Sequence, residues 1–416
     1  MKTDRFDVLI IGAGPAGLAA ADEAARTGAR TALIDDNPRP GGQIWRQGPQ
    51  AALAAPLRVW LDEARARPNL VVMSGAKVIG THGDKSLLIE QEGVARVIGW
   101  TKLILCTGAR ERLLPFEGWT LPGVTGAGGL QAMIKGGMPV RGERIVIAGS
   151  GPLLLAVADT ARKHGADVRA MIEQASFGDV ARFVASLVRT PGKLAQAFAL
   201  RPARYRTGSV VVKAHGETRV EAVTIRRGAT QQTIETDRIA CGYGLVPNTT
   251  LALALGCEMN DAAIRIDDAQ RTSLENVYAA GECTGIGGME LSRIEGAIAA
   301  RAALGLPVGA QQHQARSRWR AFAGRVDHAF ALGDAARAIP PGDTVMCRCE
   351  DVTIGDIAAH AHWRDAKLQT RCGMGPCQGR ICGEAAALYF GWPRAKAREP
   401  FVPVRVDTLI AASEAE

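Results

Sequence analysis

The sequence predicts an α/β protein made of two strand, glycine turn, helix, strand units followed by a small cysteine-rich C-terminal domain. Three observations carry this prediction. The stretch FDVLIIGAGPAGLAAADEAARTGARTALIDD sets glycines between an apolar strand and a helix, and RIVIAGSGPLLLAVADTARKHGADVRAMIE repeats the plan further along. Five of the nine cysteines (Cys347, Cys349, Cys372, Cys377 and Cys382) crowd into a short segment near the end.

Composition narrows the classes before any motif is read. A chain of 416 residues suggests two or three domains, each large enough to bury a core without disulfides. Clustered rather than spread cysteines argue for a metal or cluster site in a reducing compartment. The net charge of +8 lies mostly in arginine, as in HQARSRWRAFAGR, and reads as a solvated surface. With four Tyr, nine Phe and no aromatic RNA-binding signature, nucleic acid is not an expected partner. The N-terminus shows no signal segment, and no apolar run approaches the ~20 residues of a spanning helix. A cytoplasmic protein is expected, peripheral to a membrane only through a complex.

In GAGPAG, Gly12 permits a tight turn, Gly14 lets backbone approach a pyrophosphate, and Gly17, beside Ala16, lets the helix pack on the strand. Phosphate charge would sit on the amides of that helix. Asp35, followed by Asp36, closes the next strand, where a carboxylate can bind ribose hydroxyls. A helix near 50–68 and three alternating segments, NLVVMSGAKVIG, KSLLIEQEG and VARVIGWTKLILCTGA, follow as a small antiparallel sheet. The second unit keeps Gly149 and Gly151 but has Leu154 at the third glycine position. A leucine there is expected to push helix from strand, which makes NAD binding doubtful although Glu173 suits a ribose. The expected domains are 1–135 with 258–310, then 136–257, a helical linker 311–343, and 344–416.

Cys347 and Cys349 would share one face of an extended chain, ~6.6 Å apart, with Arg348 pointing outward. Zinc knuckles space their cysteines C-x2-4-C, so C-x-C favours an iron–sulfur centre. Pro376 suits a first helical turn, which would set Cys377 at a helix N-terminus. Cys382 would then lie about 140° around that helix, the more natural spare thiol. Cys106, Cys241, Cys257 and Cys283 form no C-x-x-C pair, so thiol–disulfide exchange is set aside. The histidines (82, 164, 215, 313, 328, 360, 362) are scattered outside the motifs, and no catalytic residue is assigned.

NPRPGGQI, LILCTGARERLLP and VYAAGEC resemble, in the right order, the two-dinucleotide flavoproteins of the glutathione and thioredoxin reductase type, which include the alpha subunit of sarcosine oxidase. That resemblance implies two Rossmann-like domains and FAD. It places Gly41, Gly42 and Gln43 near the flavin and Thr107 and Gly108 near the dinucleotide. Gly281 and Glu282 would sit at the ribityl chain, with a helix from about Gly285 aimed at the pyrimidine edge. CRCEDVT, TRCGMGPCQGRIC and the upstream EGWTLPGV resemble the [2Fe–2S] domain of the bacterioferritin-associated ferredoxin type. Related domains often lack a cysteine at position 372 and keep those at 377 and 382. The ligands implied are Cys347, Cys349 and Cys377, with Cys372 or Cys382 as the fourth.

The whole chain resembles the FAD-containing alpha subunits of multi-subunit amine and imino-acid dehydrogenases, the opine oxidase, D-hydroxyproline dehydrogenase and hydrogen cyanide synthase type. It implies an electron relay serving a flavin-containing beta subunit similar to glycine or D-amino-acid oxidases. An FMN between subunits and a small ferredoxin-like subunit would be compatible. A self-sufficient NADH-dependent reductase and a non-catalytic scaffold are the alternatives.

Overall fold

A computed structural model describes residues 3–46, 48, 53–200, 204–393 and 398–413. The chain divides into two compact units. The first comprises Met1–Arg110, Val246–Ala323 and Lys396–Glu416, and the second Glu111–Leu245 and Gly324–Ala395.

In the first unit β1 (Thr3–Ile11), α1 (Pro15–Arg26), β2 (Thr31–Asp35), α2 (Ala55–Arg65) and β3 (Leu70–Ser74) follow one another, then β4 (Ala76–Thr81), β5 (Ser86–Gln91) and β6 (Val94–Leu105). The sheet order is β3-β2-β1-β6-β5-β4, and the strand Val277–Ala279 also pairs with β6. β3, β2, β1, Val277–Ala279 and β6 pair in parallel, whereas β4, β5 and β6 pair antiparallel as expected. Val8, Leu9 and Ile10 of β1 are fully buried, the continuous apolar run of a strand covered on both faces. Helix α1 lies against the helix Gly288–Ala303 at Gly296, where a Cβ would come 2.1 Å from the Ala16 carbonyl oxygen. Only glycine lets those backbones meet.

The second unit carries a five-stranded parallel sheet in the order Tyr205–Arg206, Asp167–Glu173, Arg144–Ser150, Arg238–Tyr243, Val124–Gly126. An antiparallel sheet of three strands, Val210–His215, Ala222–Arg227 and Thr230–Glu235, joins it. The cysteine-rich segment has no separate core: Met346, Ile357, Trp363 and Cys372 share one apolar cluster with Val146 and Ile239.

These groupings differ from the expected boundaries: residues 246–257 fall in the first unit, the linker 311–343 is divided after Ala323, and 344–395 is part of the second unit. Residues from 111 join the second unit because Val124 pairs with Ile239. The segment from 396 joins the first, where the Phe401 amide donates to the Ile79 carbonyl and the ring enters the core. No helix among the described residues is long and apolar enough to cross a membrane.

Candidate functional site

The first glycine turn is built by exclusion of side chains. Gly12 has φ +105°, and a Cβ there would stand 2.2 Å from the Cys106 carbonyl oxygen; one at Gly17 would stand 1.7 Å from that of Gly12. Gly14 caps α1 in an extended conformation without a side-chain hydrogen bond, and Pro15 opens the helix. The helix N-terminus therefore offers its first amides and positive dipole end to a cavity of about 560 Å³.

Of the residues expected at this site, Gly12, Gly14, Ala16, Asp35, Asp36, Gly42, Gln43, Thr107, Gly108 and Glu282 line the cavity. Gly17, Gly41 and Gly281 are not among the lining residues. The Gly41 amide donates to Ala13 O at 2.8 Å, and the Gly281 amide to Glu295 Oε2 at 3.1 Å. Asp35 is held rigidly at the end of β2. Its carboxylate accepts from the Ala13 amide at 2.5 Å and from the Asn37 amide and side chain at 2.8 and 2.7 Å. Burial pushes the Glu282 carboxyl up, partly offset by the Gly288 amide that donates to it. The helix expected near Gly285 begins at Gly288, because Gly285 (φ +135°) ends a short turn over Glu282–Thr284.

Sequence reading missed Glu295. Only 1% exposed, it holds Gly281 and Thr284 and pairs with Arg320 at 2.8 Å, so it positions the loop that carries Glu282. Its one signal was a lone acid in the alanine-rich face of EGAIAARAAL. Lys77, Met289, Val402 and Pro403 also line the cavity and were not anticipated.

The residues fit FAD. A Cβ at Gly42 would come within 2.8 Å of the Gly14 Cα, so glycine on both strands of the bend is what leaves room for a pyrophosphate. Asp35, Glu282 and Gly288 line the same cavity, so with FAD bound a ribose could meet Asp35 and the flavin Glu282 and the helix end at Gly288. Burial raises the Cys106 thiol far above its usual range and Cys283 to about 11, so both are neutral and poor nucleophiles.

The second glycine turn keeps the backbone and loses the opening. At Gly149 a Cβ would stand 1.8 Å from Gly242 O. Leu154, 1% exposed, shares an apolar cluster with Ile145 and Ile147 of the strand Arg144–Ser150 and with Val157 of the helix Leu153–Lys163, so it fills the space between strand and helix as expected. The turn is covered by the chain itself. Ser150 Oγ donates to Phe330 O at 2.8 Å, Gln174 Nε2 to Ala331 O at 3.0 Å, and the Gly333 amide to Gln174 Oε1 at 2.9 Å. Phe330 lies 4.0 Å from where a Gly151 Cβ would be and meets Phe183 edge-on at 5.2 Å. Glu173, fully buried, accepts from the Gly151 and Ala175 amides at 2.9 Å and from Tyr205 Oη at 3.2 Å. Unlike Asp35, which lines the open cavity, Glu173 presents no exposed edge to a ribose.

The cysteine segment differs locally from its expected geometry. Cys347 ends a strand (Val345–Cys347), and the chain turns at once through residues 348–351, so Cys349 leaves the extended line and is exposed. Arg348 folds over Trp119, 5.0 Å from the ring, while Trp119 Nε1 donates to Val345 O at 2.6 Å. The helix expected from Pro376 begins at Cys382. Gln378 (φ +52°) and Gly379 (φ +76°) are left-handed and cannot continue a right-handed helix. The ground for setting Cys382 aside thereby disappears.

The sulfurs of Cys347, Cys372 and Cys382 lie within 4.8 Å of one another, all buried. Close by, Cys349 accepts from the Cys377 amide and faces its thiol. The Gly373 amide donates to Cys347 Sγ at 3.5 Å, and Gly373 and Gly379 pack on the Trp363 ring, where a side chain would collide. The Cys372 thiol and then burial push Cys382 far up. Converging thiolates would repel without a cation among them, so this donor set suits a metal or iron–sulfur centre.

Two copies of one dinucleotide-binding plan, the first with an open cavity, are the build of a flavoprotein-type oxidoreductase. Residues 6–303 match the model of the pyridine nucleotide-disulphide oxidoreductase family, and the chain belongs to that family. It is 34% identical to hydrogen cyanide synthase subunit HcnB of Pseudomonas protegens, over 90% of this chain and 89% of that protein. To an opine oxidase subunit of Rhizobium meliloti it is 32% identical, over 91% and 90%. Among solved structures, L-proline dehydrogenase from P. horikoshii shares the fold at 18% identity with a TM-score of 0.67, covering 98% of this chain and 80% of that one. Thioredoxin reductase from T. acidophilum shares it at 22% identity and 0.56, over 72% and 98%.

Proposed function

We propose that this chain is the electron-transfer subunit of a heteromeric dehydrogenase or oxidase acting on a C–N bond of an amine or imino acid, of the opine, D-hydroxyproline or glycine type. A partner subunit would carry the pocket that selects and oxidises the substrate. FAD in the first cavity would take up an electron pair, and a [2Fe–2S] centre would hand electrons on singly to an acceptor.

The α1 amides and Gly14 would bind the diphosphate, Asp35 would orient a ribose, and Glu282, held through Gly281 and Glu295, would orient the ribityl chain. Four of the five clustered cysteines would hold iron, with Cys347 among them. What supports a relay over an NADH reductase is above all the second glycine turn, whose polar groups are engaged by Phe330, Ala331 and Gly333 and whose Glu173 is enclosed. The described lining of the first cavity also includes no histidine to act as a base. The relatives, one part of a synthase and the other part of an oxidase, agree with a multi-subunit setting.

The test is anaerobic mixing of the purified, flavin-loaded chain with NADH, then with candidate amines, each with and without a glycine or D-amino-acid oxidase-like flavoprotein as the beta subunit. The expected result is no flavin bleaching by NADH and bleaching by an amine only when the partner is present. Rapid bleaching by NADH, or steady amine turnover by the isolated chain, would refute the reading.

A further inference from the structure

The geometry points to the C-terminal segment 398–408 as the adenosine-side wall of the first cavity, the part of the site that selects FAD over FMN. This rests on the FAD reading of that cavity.

Strand pairing and chain connectivity locate the wall: β4 ends the sheet on the β6 side, but its first residues follow directly on Ser74. The diphosphate turn follows β1, Asp35 ends the neighbouring β2, and β3 lies next, with Ser74 paired to Asp35. Gly75 alone separates β3 from β4, so Ala76, Lys77 and Val78 stand just beyond Asp35. Glu282 follows the strand Val277–Ala279, which pairs with β6 on the other side of β1. A dinucleotide with its diphosphate on α1 and a ribose on Asp35 therefore directs its base toward Ala76–Val78. Val402 and Pro403 line the same cavity, next to Ile79, which accepts the Phe401 amide at 2.9 Å.

The segment is fixed on both sides of these two residues. Before them, Glu399 Oε1 accepts from the Thr81 amide at 2.8 Å and from Thr81 Oγ1 at 2.7 Å, and Phe401 is 7% exposed. After them, the Arg405 amide and Thr408 Oγ1 donate to Glu90 Oε2 at 3.2 and 2.7 Å, and Thr408 is 1% exposed. Strand β4 leaves space for this: a Cβ at Gly80 would stand 2.8 Å from Glu399 Oε2. An apolar surface already held in place loses little further freedom when a flat ring packs on it. Val402 and Pro403 supply that surface, and proline adds no N–H that a ring would leave unpaired. FMN ends at its phosphate and never reaches the wall.

The experiment measures FAD and FMN binding to the apo chain by quenching of flavin fluorescence, with and without residues 398–416. A second variant, Val402→Ser with Pro403→Gly, keeps the anchors Glu399, Phe401 and Thr408 should the truncated chain fail to fold, and thermal melting checks both. The expected result is a rise of about tenfold in the FAD dissociation constant with FMN binding unchanged. Equal weakening of both flavins would make the segment a general brace and overturn the proposal, as would no change in either. An intact chain that binds FMN as tightly as FAD would sink the FAD reading itself.

Discussion

At Gly12 the backbone conformation is left-handed and the nearest obstacle is a carbonyl just beyond β6, not a flexible side chain. Gly12→Ala is therefore expected to lose FAD outright, seen as a colourless chain after gel filtration, at a stability cost of ~2 kcal/mol or more. The clustered cysteines pose a different residue-level question. Cys372 and Cys382 both approach Cys347, so the spare thiol is not set by spacing along the chain. In a chain reconstituted with iron and sulfide as proposed, we expect Cys347→Ser to abolish the EPR signal of the reduced cluster, and of Cys372→Ser and Cys382→Ser, one to abolish it and the other to keep it. Loss in neither would exclude both as ligands. These residue types were legible in the sequence because glycine and cysteine carry their chemistry in their identity. Glu295 was not, because a buried acid inside an alanine-rich helix declares itself only through the amide and hydroxyl it meets in space.

Between elements, the strand Arg238–Tyr243 is tied to its neighbour at the entry end. Arg144 donates two bonds to Asp237 Oδ1, at 3.3 and 2.7 Å, and its own amide donates to Oδ2. The Arg144 guanidinium lowers the Asp237 carboxyl to about 2. A depressed carboxylate contributes stability above its unfolded value of about 3.9 and loses it as pH falls toward the folded value. Asp237→Asn is thus expected to lower stability by ~1–2 kcal/mol at about pH 7, the pair being partly exposed. The difference from wild type should shrink below about pH 4 in denaturant titrations; one that persisted at about pH 2 would contradict the assignment. The strand and helix order was legible from period and turn residues. The helix start at Cys382 was not: Pro376 signalled an N-terminus, but Gln378 and Gly379 are left-handed where the chain packs against Trp363, which is distant in sequence.

Across the whole molecule, the cysteine segment and the second sheet share one core, so their stabilities are coupled. In a chain loaded with iron at these cysteines, chelation should lower the melting of the unit containing Val146 and Met346 as one transition. Melting of the flavin-binding unit should stay unchanged, followed separately by flavin release. Two independent transitions within the second unit would show instead that the cysteine segment folds alone. By itself, the sequence determined the duplicated nucleotide-binding plan, the first glycine turn with Asp35, the weakened second fingerprint and a cluster of cysteines whose chemistry suits a metal centre. Each of these depends on local backbone freedom, periodicity and residue chemistry. The tertiary structure alone decided that residues 330–333 cover the second turn, that Glu295 braces Glu282, and that the segment around Val402 returns to the first cavity. Those contacts join residues from 11 to more than 300 positions apart, and packing in three dimensions, rather than any local preference, selects them.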